Sequence, residues 1–254
     1  MVSNVTEWAE ISERKGAICY IKHSLPPLET PKTVRIKFSK TGSLQYISHL
    51  DLQRLFARAA VRAGIPLWYT MGFNPHPKMV FALPLPVGVQ SVCEFLDVKI
   101  DKVIECSEIR SLLNRVLTDE LMILDVYEPT AKFAVIGSAE YTVYINTVGA
   151  DSELATRIAE FIKAGKVMMK KHTKSGEKEI DISTMIYDIK AAYDTDSGGI
   201  CIKLRCAAGT ESLNPEYLVA ALKTYGILPS ASLIEESYSI MRERVLCADG
   251  KEFI

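Results

Sequence analysis

The stretch Ser48–Gly64, SHLDLQRLFARAAVRAG, leaves this chain the least freedom. Ser48 with Asp51 three residues on has the form of a capping box, Asp standing where Glu or Gln is more usual, and Gly64 before Pro66 is a stop signal. Leu52, Leu55, Phe56, Ala59 and Ala63 then share one apolar stripe, while Arg54, Arg58 and Arg62 recur at every fourth position on another. A helix with a single apolar stripe needs a surface to lie on. The flanking segments supply one: VRIKF before it and VCEFLDVKI after it alternate at the period of half-buried strands.

The same order occurs twice. In the first half the strand at Val34–Phe38 and the capped helix are followed by a short strand at Leu67–Thr70, a polar turn GFNPHPK, strands at MVFALPL and VCEFLDVKI, a helix from Cys106 to Leu117 and a strand LMILDVYEP. In the second, EYTVYINT reads as a strand, SELATRIAEFIKAG as a helix, and MIYDIKAAY and ICIKLRCAA as strands. Asn214-Pro215 opens the helix PEYLVAALKTYG, and SYSIMRERVLC closes as a strand. The fold predicted is α+β: two ferredoxin-like (βαββαβ-type) units, each an antiparallel sheet with helices on one face. The predicted division is an N-terminal arm over 1–32, a basic-faced unit over 33–130 and a second unit over 139–254. Two separate sheets are expected, with a boundary between Pro129 and Glu140; the competing reading is one larger α/β domain.

Charge is local. The chain has a formal net charge of −1, yet between Pro31 and Val80 eight bases (Lys32, Arg35, Lys37, Lys40, Arg54, Arg58, Arg62, Lys78) face one acid, Asp51. A basic field inside a neutral protein points to an anionic partner engaged through one face. Alternation turns Arg35 and Lys37 away from the core side of their strand, and the turn adds Asn74, His76 and Lys78. The predicted RNA- or phosphate-binding set is therefore Arg35, Lys37, Lys40, Arg54, Arg58, Arg62, Asn74, His76 and Lys78, with Tyr46, Trp68, Tyr69 and Phe73 interleaved as rings on which unpaired bases could stack. A second basic cluster, Lys166, Lys170, Lys171, His172, Lys174 and Lys178, is diluted by Glu177 and Glu179.

Several chemistries find no support. The dinucleotide and P-loop glycine motifs, H-E-x-x-H and G-x-S-x-G are all missing. The six cysteines are scattered without a C-x-x-C pair, and read as buried thiols of a reducing cytoplasm, with no metal and no cofactor expected. The opening residues carry acids and no apolar h-region, and MVFALPLPVGV is broken by Pro84 and Pro86, so neither a signal peptide nor a membrane span is expected. His49 at the helix start and His76 in the turn are the candidates for acid–base work, should the chain cleave RNA without a metal.

The segment FSKTGSLQYISHLDLQRLFARAAVRAGIPLWYTMGFNPHPKMVFALPLPVGVQSVCEFLDV resembles the opening of the radical-SAM-linked conserved domain, a bacterial family of unknown function. FSK-G, ISHLDL-R, GFNP-PK and LPLPVGVQS carry the resemblance, and KKHTKSGEKEIDI extends it through the second half. It implies a radical SAM partner that would hold the iron–sulfur cluster, since this chain lacks C-x-x-x-C-x-x-C. The resulting expectation is a cytoplasmic accessory protein that binds transfer or ribosomal RNA for such an enzyme and has no activity of its own. The alternatives are a metal-independent nuclease or other phosphate-handling enzyme using His49 and His76, and a module that docks the radical SAM protein.

Overall fold

A computed structural model describes residues 25–173, 176–228 and 237–254 of the chain. Among the described residues, ten strands and four α-helices follow one another as β1 (Pro27–Lys40), α1 (His49–Arg62), β2 (Met79–Phe81), β3 (Val89–Lys102), α2 (Cys106–Asn114), β4 (Ile123–Tyr127), β5 (Ile136–Asn146), α3 (Ser152–Lys163), β6 (Met168–Thr173), β7 (Gly176–Asp181), β8 (Ile186–Asp194), β9 (Gly199–Ala207), α4 (Glu216–Thr224) and β10 (Ser237–Cys247). β1 starts at Pro27, inside the segment read as an arm; residues 1–24 of that arm, with Cys19, lie outside the described residues.

The described residues divide into two compact units, one drawn from residues 25–40, 47–84 and 94–130, the other from 41–46, 85–93, 131–173, 176–228 and 237–254. In the first, β1 pairs antiparallel with β4, Arg35 opposite Tyr127, and β3 pairs antiparallel with β2, Leu96 opposite Phe81. In the second, β5 lies between β10 and β9, and β8 pairs with β9, all antiparallel. The hydrogen-bonded order is β4-β1-β3-β10-β5-β9-β8, with β2 also on β3. It is a large, predominantly antiparallel sheet with helices. The expectation of two separate sheets is therefore corrected to one strand order. The reason lies in β3, whose 14 residues are enough for Val89–Ser91 to pair in parallel with β10 while Leu96–Val98 pair with β2.

Each unit buries its own core. In the first, Phe38 of β1 meets Phe56 of α1 at 4.8 Å and Phe81 of β2 at 6.2 Å, in edge-to-face geometries that such rings prefer. In the second, Val143 and Ile145 of β5, Ile202 and Leu204 of β9, Ile158 of α3 and Leu222 of α4 are buried. The alternation read from each strand places these residues correctly.

One local reading changes and one element is added. Leu67–Thr70 is no strand and makes only single bridges, Leu67 to Ile100 and Tyr69 to Pro77. The segment from Met168 to Asp181 is a two-stranded hairpin, β6 with β7, and its first residue is clamped by Tyr225, whose hydroxyl accepts from Met168 N at 3.1 Å and donates to Met168 O at 3.2 Å. Among the described residues, no helix is long and apolar enough to cross a membrane.

Candidate nucleic-acid interface

α1 forms where its caps demand. The Ser48 hydroxyl accepts from Asp51 N at 3.1 Å and donates to the Asp51 carboxylate at 2.7 Å, and this hydrogen bond, with the Arg54 guanidinium, holds the Asp51 carboxyl below the usual range. At the other end Gly64 takes φ +71°, a left-handed conformation that glycine adopts without strain, and Ile65 N donates back to Ala60 O at 2.9 Å. Between these ends Leu52, Phe56, Ala59 and Ala60 are buried.

The opposite face carries Arg54, Arg58 and Arg62, all exposed. Side chains four apart on a helix lie roughly 5–6 Å from one another at Cβ, so the three form one cationic ridge. Arg54 Nη1 stands 3.3 Å from Asp51 Oδ1, both side chains more than half exposed. Among the described residues no acid stands within 4.0 Å of Arg58 or Arg62.

The cations of β1 are placed differently from the expectation. Arg35 is fully buried, its Nε 2.7 Å from Asp97 Oδ1 and its Nη2 3.0 Å from Asp97 Oδ2, a bidentate pair. Lys40 is buried as well, and Lys37 is half-buried with Nζ 5.8 Å from the centroid of the Phe95 ring. Alternation fixes which residues share a face, but it leaves open whether that face meets water. Here both faces of β1 are covered from Val34 to Lys40, so Arg35 and Lys40 are withdrawn from any ligand in solution. Beside them burial pushes the Tyr127 phenol up, against the pull of Arg35.

The turn after Trp68 is a pinned hairpin. Thr70 N donates to His76 O at 2.9 Å, and His76 N donates to Thr70 Oγ1 at 3.2 Å. His76 Nδ1 lies 3.1 Å from the Asn74 carbonyl and 3.2 Å from Thr70 Oγ1, so this ring nitrogen is engaged within the turn while the Nε2 edge faces outward from these two contacts. Asn74, His76 and Lys78 are exposed, as the sequence led us to expect. His49 is half-buried, edge-on to Phe81 at 4.9 Å and 3.1 Å from the Gln53 amide nitrogen. Each histidine thus has its own partners, and no hydrogen bond or ring contact among the described residues joins the two.

The aromatic residues divide. Trp68 is half-buried beneath Lys99 Nζ at 5.5 Å, and Tyr69 is half-buried, whereas Tyr46 is 69% exposed and Phe73 fully so. Met71, which the sequence reading passed over, is 91% exposed. Gly72 and the two following prolines signal the turn but not the exposure of its tip. The other basic cluster falls on the β6–β7 hairpin, where Lys170 pairs with Glu177 at 3.6 Å and Lys171 stands opposite Lys178; Lys174 lies outside the described residues. Among the described residues no group of three or more His, Cys, Asp or Glu could hold a metal ion.

Strand order, helices and exposed ridge define an α+β protein with a predominantly antiparallel sheet. The chain belongs to the bacterial family described as "Uncharacterized protein conserved in bacteria (DUF2344)", which matches residues 33–215. No curated protein matches it. Among solved structures it is similar to a chain of "Crystal Structure of a Cbf5-Nop10-Gar1 Complex", at 11% identity and a TM-score of 0.43, covering 84% of this chain and 48% of that one. It is also similar to DyPB from Rhodococcus jostii RHA1, at 9% identity and a TM-score of 0.20, covering 85% and 94% respectively. The chain spans about half the length of the first of these. Likenesses this distant define no function.

Proposed function

We propose that this protein binds RNA through the α1 ridge and serves as the accessory of a radical SAM enzyme that modifies transfer or ribosomal RNA in the cytoplasm. The observation that carries the RNA reading is the pair Arg58 and Arg62, exposed on one helix face with no acid within 4.0 Å among the described residues. Like charges at this spacing repel unless an anion lies over them, and a polyanion is the partner that relieves every pair at once. The radical SAM partnership rests on the resemblance carried by FSK-G, ISHLDL-R and GFNP-PK. We also read each half of the chain as a ferredoxin-like unit. Supporting this, the element order β-α-β-β-α-β comes with the strand order β4-β1-β3-β2 in one half, and, with the β6–β7 hairpin inserted, with β10-β5-β9-β8 in the other.

The test is the salt dependence of binding. If Arg54, Arg58, Arg62 and Lys78 each neutralise a phosphate of single-stranded RNA, log K falls with log[salt] at a slope of about −3, since each contact contributes about −0.7. Arg58→Ala with Arg62→Ala shallows that slope by about 1.4. The helix survives, because Ala has the higher helix propensity and neither arginine is buried. A folded double variant with unchanged affinity and slope sinks the reading. Purification from cells with and without nuclease treatment addresses the partner: a co-purifying radical SAM protein supports the assignment, and reproducible capture of RNA alone limits the proposal to RNA binding.

A further inference from the structure

Phe73 and Met71 are the two most exposed of the large apolar side chains described, at 109% and 91%. They flank Gly72, whose φ of +130° lies where L side chains are rarely found, and a Cβ built on Gly72 meets nothing within 4 Å. The tip is therefore open on every side. Its base is fixed by the Thr70–His76 hydrogen bonds, by the Tyr69–Pro77 bridge and by Lys78 N donating to Trp68 O at 3.4 Å. Pro75 and Pro77 lock two further φ angles. Such a hairpin does not bury its apolar residues by rearranging, and apolar area held out in water on a braced scaffold marks a contact surface.

The chemistry around the tip selects the partner. From Trp68 to Met79 there is no acid; Asn74, His76 and Lys78 are exposed, and the Asn74 amide has no hydrogen-bond partner among the described residues. An aromatic face beside an amide that both donates and accepts, an imidazole and a cation matches the parts of one nucleotide: a base to stack on, a base edge to hydrogen-bond and a phosphate to neutralise. An apolar protein pocket would leave the amide and the ammonium to be desolvated without partners. The tip leads directly into β2, whose Phe81 packs on His49 in the first turn of α1, so it is built on the same unit as the ridge.

We infer that the Met71–Lys78 hairpin holds an unpaired nucleotide of a folded RNA, its base stacked on Phe73, and so confers a preference for loops and bulges over continuous duplex. The inference rests on the RNA-binding reading and adds to it the structural class of RNA.

The experiment compares two RNAs of equal length, a stem with an unpaired loop and a blunt duplex, by fluorescence anisotropy across a salt series. The wild-type chain is expected to bind the looped RNA more tightly. Phe73→Ala should weaken the looped complex by roughly 5- to 150-fold, the range that stacking on one aromatic ring gives, and leave the duplex complex and the salt slope unchanged. Phe73→Trp should keep the preference. Because the Phe73 side chain is fully exposed, Phe73→Ala is expected to fold, and circular dichroism verifies it. Arg58→Ala with Arg62→Ala weakens both complexes and shallows the slope while preserving their ratio. RNA binding with an intact slope but no loop preference, or a preference that survives Phe73→Ala, overturns the assignment of the tip and leaves the ridge standing. No binding to either RNA overturns both.

Discussion

Arg35 illustrates how a cation chosen from sequence as a ligand group becomes part of the scaffold. Its side chain and that of Asp97 are 1% and 18% exposed, and the bidentate geometry satisfies both carboxylate oxygens. Removing one member of such a pair strands a buried charge, so Asp97→Ala should destabilise the chain by about 3–5 kcal/mol in urea unfolding. Glu140→Gln breaks the Arg244–Glu140 pair, whose side chains are 56% and 28% exposed, and should cost no more than about 1 kcal/mol. Equal losses at both positions would mean that the Arg35 pair is no more shielded than a surface one. The sequence VRIKF correctly announced a strand and its alternation. It could not announce the covering of the second face, because that depends on chain far from Val34. Burial likewise raises the Cys206 thiol to about 12, leaving it protonated and unreactive toward alkylation at neutral pH, whereas half-buried Cys247 is open to it.

Among the elements, α1 was the most legible, since cap, stripe and stop are all local signals. Ser48→Ala should remove roughly 1 kcal/mol of stability by the usual worth of an N-cap. Its pH dependence has a definite sign. The folded carboxyl of Asp51 is held low by the Ser48 hydroxyl and Arg54, so its contribution is present above the ordinary carboxylate range and is lost as pH falls through the depressed folded value. The gap between wild type and Ser48→Ala in chemical denaturation should therefore narrow in acid; a gap that widens there would reverse the assignment. The Met71–Lys78 hairpin was legible only as a turn. Proline and glycine announce where regular structure stops, but the exposure of Met71 and Phe73 follows from hydrogen bonds between Thr70 and His76, six residues apart, and from Gly72, a combination that no periodicity encodes. β7 escapes a reading by periodicity because successive Lys and Glu, as at Lys178 and Glu179, have no apolar face to betray a strand.

The whole chain is less divisible than its repeated element order suggests. The second unit includes residues 41–46 and 85–93, drawn from the first half of the sequence, and β10 pairs through Ile240–Arg242 with Val89–Ser91. A fragment beginning at Ala131 lacks that partner strand and leaves one side of β10 with open hydrogen-bonding groups, so it should associate in light scattering where the intact chain does not. A monomeric fragment of unchanged stability would show that residues 85–93 are dispensable to the unit. The position of β10 also has a kinetic meaning. It enters the sheet between β3 and β5, yet it is the last of the described strands, and Ser237–Cys247 pair with Ile136–Asn146 across about a hundred residues. Contacts so distant in sequence are closed late and at an entropic cost that local pairs do not pay. During synthesis β3 and β5 therefore emerge long before the strand that separates them, and for that interval each carries an unfilled place beside it. Of the described strands, then, β10 is the one whose arrival completes the sheet between β3 and β5.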